Sequence, residues 1–274
     1  MTALEDQRAL VTGGGSGIGL ACARAFVQDG AHVTIMGRNE ERLKNAVEEL
    51  QNLAASSQVN YLAGDVGDEA SVAEAVALAA GGQGLDIAIA NAGQGSLAPV
   101  MVEKTETWDS VMQTNLTGTF YTIKHAAQSM ARSGGGAICT ISSIAGVRTH
   151  RNMSTYCVSK AGIDMLVRNA ADELGQSNIR VNSVCPGLVD TEIAAGLMTT
   201  DEVYQDYMDC MPIRRNGQPN DIANAVRFLC GPESSWVTGV VLSVDGGHHL
   251  RRGPNLDPFV KMIYGHETQG LLAD

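Results

Sequence analysis

Between residues 9 and 26 the chain reads "ALVTGGGSGIGLACARAF", an apolar run, a glycine cluster and an amphipathic run with no break between them. No other stretch restricts the fold so strongly. A short apolar run predicts a buried strand, and the alanine-rich run after it predicts a helix. The turn between them holds Gly13, Gly17 and Gly19 in a G-x-x-x-G-x-G spacing. Glycine permits the tight turn and lets backbone approach a pyrophosphate at the helix N-terminus, where unpaired N–H groups carry partial positive charge. Ser16 and Ile18 lie within the loop, and Thr12 and Ser16 are candidate hydroxyl donors. The strand–turn–helix context favours dinucleotide binding over a purely structural turn.

Further apolar runs, "HVTIM", "VNYLA", "LDIAIA", "GAICTIS", "IRVNSVC" and "GVVLSV", alternate with helical patterns near 17–29, 40–50, 69–80, 105–132, 154–174 and 219–230. Such alternation predicts right-handed crossovers and an α/β fold: a doubly wound parallel sheet of about seven strands flanked by helices. "ASSQ" and "GGQG" read as turns, and no linker, repeat or low-complexity run divides the chain, so residues 1–250 are expected to form one domain. Residues 251–274 form an extension that either packs at a subunit interface or frays. The Met- and Tyr-rich interval 191–211 reads either as core helix or as a substrate cover.

In a doubly wound sheet the ligand crosses the C-terminal strand ends. Those ends are small or polar: "MGRN", "AGDV", "ANAG", "ISSIAG" and "CPG". Asp65, followed by Val66, is placed to accept a hydrogen bond from an adenine amino group, and Asn91, Ala92 and Gly93 allow close passage of a ribose. Taken singly, each is an ordinary turn residue.

The net charge of -11 would repel a phosphate backbone, which excludes nucleic acid as an expected partner. No apolar run reaches the 18 or so residues of a membrane helix, and the N-terminus lacks signal-peptide order, so a cytoplasmic protein is expected. Cys22, Cys139, Cys157, Cys185, Cys210 and Cys230 show no C-x-x-C spacing and no His partners. They predict no metal site and no disulfide framework; Cys139 and Cys157 alone are expected near the chemistry, and as inert thiols.

"YCVSK" sets Tyr156 and Lys160 four residues apart, on one face of a helix. With "TGGGSGIG", "NAG", "TNLTG", "ISS" and the "PG" after the sixth strand, the chain resembles the short-chain dehydrogenases/reductases over residues 7–247. The resemblance implies a single-domain Rossmann fold, a nicotinamide cofactor, a homotetramer, and a catalytic tetrad at Asn115, Ser143, Tyr156 and Lys160. The family interval of thirteen residues before the tyrosine selects Ser143 over Ser142, and Asn115 would hold a water near Lys160.

On that pattern Lys160 and the oxidised cofactor favour the Tyr156 phenolate, and Tyr156 exchanges a proton with the substrate oxygen as general acid or base. Ser143 stabilises that oxygen, Lys160 also binds the nicotinamide ribose, and the backbone after Pro186 and Gly187, near Val189, holds the carboxamide with the Thr191 hydroxyl. An acidic residue normally ends the second strand of NAD sites; Gly37 stands there, followed by Arg38, which predicts NADP(H), with NAD(H) also admitted.

Ile144, Val147, Leu188, Leu197 and Met198 predict an apolar substrate site for a sizeable secondary alcohol or ketone, hydroxysteroid-like, β-ketoacyl thioester or polyketide-like. His150 and Arg151 read as exposed loop residues, or as partners for an anionic substrate group. The alternative to an enzyme is a nucleotide-binding scaffold or sensor on the same fold; a complete tetrad favours the enzyme.

Overall fold

The computed structural model describes residues 3–53 and 57–265. Part of the "ASSQ" turn and the last nine residues of the extension lie outside the described residues.

Seven parallel strands form one sheet: β1 (Arg8–Thr12), β2 (His32–Gly37), β3 (Val59–Ala63), β4 (Ile87–Ala90), β5 (Gly136–Ile141), β6 (Ile179–Pro186) and β7 (Val241–Val244), in the order β3-β2-β1-β4-β5-β6-β7. Successive side chains on a strand point to opposite faces, and the central strands are covered on both. On β1, Ala9 and Val11 join one core, whereas Leu10 joins the other. That two-sided burial explains why these strands read as continuous apolar runs.

Helices α1 (Gly17–Gln28), α2 (Glu40–Gln51) and α10 (Pro219–Cys230) cover the first face, with Phe26, Leu43, Ile222 and Leu229 buried against Ile35, Ile87 and Ile89. Helices α3 (Glu69–Ala80), α5 (Gly118–Ser133) and α7 (Ser154–Leu174) cover the second, where Val72, Met130 and Val167 meet Met36, Ala88 and Ile138. Local chemistry sets several ends. The Asp68 side chain accepts the Ala70 and Ser71 amides at the start of α3, and Gly81 ends that helix with φ 54°. Pro219 opens α10 beside a capping box formed by Gln218 and Asp221.

The expected long helix over 105–132 is in fact α4 (Thr105–Met112), a π-helical turn over Gln113–Thr117, and then α5. Asn115 lies in the π turn, where its side chain leaves the helix to bond outside it. The interval 191–211 folds as two short helices, α8 (Ala195–Met198) and α9 (Asp201–Cys210). Between β5 and α7 lies α6 (Ile144–Val147), and after β7 the chain returns to form α11 (Asp257–Tyr264). Val203, Tyr207, Met208 and Met211 form a third apolar cluster with Leu188 and with Leu256 of the extension. The extension therefore packs on its own chain as far as residue 265.

The order of connection reverses between β3 and β4, which sit on opposite sides of β1. At this switch point the loops diverge and leave a crevice at the C-terminal strand ends.

Candidate active site

The crevice is a cleft of about 720 Å³ running from the glycine loop to α9 and α11. Gly13 and Gly17 adopt φ of 65° and 53°, conformations that L side chains rarely take. A Cβ at Gly13 would stand 2.7 Å from Asn91 Nδ2, and one at Gly19 would stand 2.2 Å from the Gly13 carbonyl oxygen. Gly19 thus closes the turn from behind rather than lining the cleft. Gly14 is a packing glycine that sequence reasoning missed: a Cβ there would lie 2.6 Å from Ile35 Cγ2.

Ser16, Gly17 and Ile18 line the cleft at the start of α1, whose first turn carries no acidic residue. A bare backbone cradle facing an unopposed helix N-terminus fits the pyrophosphate of a dinucleotide.

Thr12 is not a ligand donor. It is buried, its hydroxyl donates to the Ile89 carbonyl (3.2 Å) and accepts the amides of Asn91 (3.0 Å) and Ala92 (3.1 Å). It stitches β1 to β4 at the switch point. Asn91 Nδ2 returns the tie to the carbonyls of Thr12 (2.9 Å) and Gly13 (3.2 Å), while Asn91, Ala92 and Gly93 all line the cleft.

At the β2 end Gly37 and Arg38 line the cleft, and Arg38 makes no ion pair among the described residues. One helical turn on, Arg42 lines it too: its Nη1 lies 2.8 Å from Glu192 Oε2 and 3.5 Å from Ser16 Oγ. This second cation was legible as an i, i+4 neighbour of Arg38 but was not recognised in the sequence. Asp65 and Val66 line the same end, with Asp65 Oδ1 accepting the Gly67 amide at 2.8 Å.

Tyr156, Lys160, Ser142 and Ser143 converge beyond the glycine loop. Ser142 is buried and donates to the Lys160 carbonyl at 3.2 Å. Ser143 is the more accessible of the pair, caps α6 and accepts the Ala145 amide at 3.1 Å. Lys160 donates from Nζ to the Ile141 carbonyl at 2.8 Å, with Nζ 5.5 Å from the centroid of the Tyr156 ring. Burial lowers its pKa to about 8. Burial likewise raises Tyr156 to about 12, against a smaller downward pull from Ser143. Desolvation is thus the dominant influence on the phenol, and it opposes the phenolate.

Asn115 lies behind the cleft, fully buried. Its Oδ1 accepts the Gln94 amide (2.8 Å), and its Nδ2 donates to the Gln94 carbonyl (2.9 Å) and to Ser159 Oγ (3.0 Å). It clamps the chain after Gly93 to the helix bearing Tyr156 and Lys160. Pro186, Gly187, Val189 and Thr191 line the opposite edge, where the Thr191 hydroxyl donates to the Val189 carbonyl at 3.3 Å.

At the substrate end Ile144, Leu188 and Leu197 line the cleft as expected, but Val147 is 55% exposed and neither it nor Met198 reaches the wall. Leu97, Met153, Tyr207 and Phe259 line it instead, brought there from four distant segments. His150 is not an exposed loop residue: it is buried and lines the cleft. Arg151 pairs with Asp257 and does not line the cleft. Cys139 lies in the first core, and Cys157, half-buried, points its sulfur at the His150 carbonyl at 3.8 Å. The neighbouring Cys230, and then burial, raise the Cys139 thiol, and burial raises that of Cys157. Among the described residues no group of His, Cys, Asp and Glu is placed to hold a metal ion, and no helix is long and apolar enough to cross a membrane.

Residues 13–249 match a family profile described as enoyl-(acyl carrier protein) reductase. The chain is 38% identical over 246 residues to the 3-oxoacyl-[acyl-carrier-protein] reductase FabG of Chlamydia muridarum, covering 89% of this chain and 98% of that one. It is 37% identical over 245 residues to the 7alpha-hydroxysteroid dehydrogenase of Escherichia coli, covering 89% and 94%. A short-chain type dehydrogenase/reductase from Mycobacterium ulcerans superimposes with a TM-score of 0.94 at 39% identity, covering 99% of this chain and 100% of that one. The glycine cradle, the tyrosine–lysine helix and these likenesses lead to one conclusion: the chain belongs to the short-chain dehydrogenase/reductase family and is an NAD(P)-dependent oxidoreductase acting on CH–OH groups.

Proposed function

We propose that this enzyme interconverts a sizeable apolar secondary alcohol and its ketone, with Tyr156 as general acid and base and a preference for NADP(H) over NAD(H). The observation that carries the reading is the convergence of Ser143, Tyr156 and Lys160 in the cleft that also holds the glycine cradle. The bound nicotinamide supplies or accepts the hydride. In ketone reduction the Tyr156 phenol gives its proton to the carbonyl oxygen, and in alcohol oxidation it takes that proton back. Ser143 donates a hydrogen bond to the same oxygen as charge develops on it. Lys160 keeps a proton source beside the phenol and is placed to bind ribose hydroxyls. Asn115 fixes the segment after Gly93 against α7, so that the cleft keeps its width at the ribose.

Arg38 just after β2 and Arg42 in the first turn of α2, with Gly37 where a carboxylate would exclude a 2′-phosphate, support the cofactor preference. The apolar cluster of α9 and the extension supports a hydrophobic substrate, consistent with relatives described as acting on a hydroxysteroid and on 3-oxoacyl groups. Six free cysteines suit a reducing, cytoplasmic compartment, and the family pattern a homotetramer. The test is consumption of NADPH and NADH against steroid, acyl-thioester and alicyclic ketones. Tyr156→Phe should bind cofactor nearly as wild type and lose at least ~10²-fold in turnover, the scale for a positioned general acid. Retained turnover would sink the mechanism, and a wild-type enzyme more efficient with NADH would sink the cofactor assignment.

A further inference from the structure

The substrate end of the cleft is largely apolar, with Ser96 beside Leu97 on one wall and a cluster of rings on the other. Leu97, Met153, Leu188, Leu197 and Phe259 supply the greasy lining, and His150 and Tyr207 line the same chamber. His150 stands six residues before Tyr156, is only 6% exposed, and its Nδ1 has no hydrogen-bond partner. Beside it His248 is wholly buried, and neither of its ring nitrogens makes a well-aligned hydrogen bond, although the Arg252 backbone is close enough to act on the ring. The ring of His248 meets those of His150 and Tyr207 edge to face, with centroids 5.8 Å apart in each pair.

A buried polar atom left without a partner costs roughly 1–3 kcal/mol, and native proteins seldom leave one unexplained. Here two neighbouring imidazoles are left so, against the wall of a ligand chamber. Three separate segments supply them and the phenol: the loop before α7, helix α9 and the turn after β7.

The chemistry of the place selects its ligand. Burial holds His150 down at about 4 and lowers His248 as well, so both rings are neutral near pH 7. A neutral imidazole donates one hydrogen bond and accepts one. It can satisfy a hydroxyl or a carbonyl and offers no charge to a carboxylate. None of the nearby arginines lines the chamber: Arg151 pairs with Asp257, Arg252 with Asp206, and Arg148 Nη1 donates to the His248 (3.0 Å) and His249 (3.2 Å) carbonyls, its Nε buried without a partner.

We infer that His150, backed by His248 and Tyr207, binds a second, uncharged oxygen of the substrate, remote from the reacting carbon. The preferred substrates are then hydroxyketones, diketones or diols on an apolar skeleton. This rests on the alcohol–ketone reading above and narrows it.

The test pairs trans-2-decalone with a positional set of hydroxy-2-decalones. Two quantities are read: kcat/KM with NADPH, and calorimetric binding of each ketone to the protein with and without oxidised dinucleotide, where no turnover occurs. At least one hydroxydecalone should be preferred to decalone by tenfold or more in both. His150→Leu should reduce that preference roughly tenfold to a hundredfold, the loss expected for an unmade hydrogen bond in a buried site. His150→Gln, which keeps a donor and an acceptor, should retain most of it, and it serves as the variant of record if His150→Leu fails to fold. The inference falls if no hydroxydecalone is preferred, or if the substitutions weaken decalone and hydroxydecalone alike. Selective, His150-dependent binding without any turnover would uphold the subsite and sink the oxidoreductase reading, so the two failures are distinguishable.

Discussion

Lys160 and Tyr156 show how one helix can hold two titratable groups whose burial acts in opposite senses. The Lys160 pKa falls from an ordinary 10.5 to about 8 and that of Tyr156 rises from 10.0 to about 12, each mainly through burial. For Lys160 the folded protein binds fewer protons than the unfolded chain between pH 8 and 10.5, so its burial penalty is fully present below that window and is relieved as pH rises through it. For Tyr156 the folded protein binds more protons between pH 10 and 12, and stability falls with rising pH there. Of these two groups only lysine acts between pH 8 and 10, and the raised thiols are common to wild type and a lysine variant. Cofactor-free wild type should therefore gain stability relative to Lys160→Met over that interval, by about 2 kcal/mol in denaturant unfolding. A difference independent of pH would show that the ammonium is not buried. At the β2 end, Gly37→Asp combined with Arg38→Leu should reverse the ratio of kcat/KM for NADPH and NADH. A ratio that falls but does not cross unity would show that Arg42 alone sustains the preference.

Elements rather than residues close the substrate end. Helix α11 is outside the span matched by the family profile, which stops at residue 249, yet Leu256 and Val260 are completely buried and Phe259 lines the cleft. Its first turn is anchored through Asp257, which accepts from Arg151 and from Asn152 Nδ2 (2.9 Å), and its last through the Tyr264 hydroxyl, which donates to the Leu97 carbonyl at 2.9 Å. Both anchors tie it to segments that line the cleft. Deleting residues 251–274 should then raise KM several-fold or more, with the circular-dichroism spectrum of the sheet and its helices retained. An unchanged KM would show that the wall is dispensable. The π turn at Asn115 is an element of the same kind, since the extra residue in the turn frees the Asn115 side chain to clamp Gln94 and Ser159.

At the scale of the molecule, apolar side chains remain exposed in positions that the two main cores do not reach. Phe120 is on α5, Val158 and Met165 are on α7, and Trp236, before β7, is 98% exposed. The homotetramer implied by the family pattern would cover such a surface. Light scattering should give a mass near four times 28.8 kDa, and Met165→Glu, which sets a carboxylate in the α7 face, should shift the distribution to smaller species. A wild-type mass of one chain would overturn the assembly.

The sequence by itself determined the sheet, the helices that follow the period of 3.6 and the glycine turn at Gly13, because those depend on local periodicity and turn chemistry, whereas Ser143, Tyr156 and Lys160 were assigned through the family resemblance. The boundaries of α3, α7 and α10 agree with the expected 69–80, 154–174 and 219–230. Only the tertiary structure decided which polar groups are spent inside the protein and which face a ligand. Thr12 has the composition of a donor and is consumed joining β1 to β4. His150 has the look of a loop residue and is buried against His248, which comes from the turn after β7. Phe259 and Tyr207 reach the cleft from opposite ends of a long excursion. Burial is a property of everything packed around a residue, and no window of neighbouring letters contains the segments that do the packing.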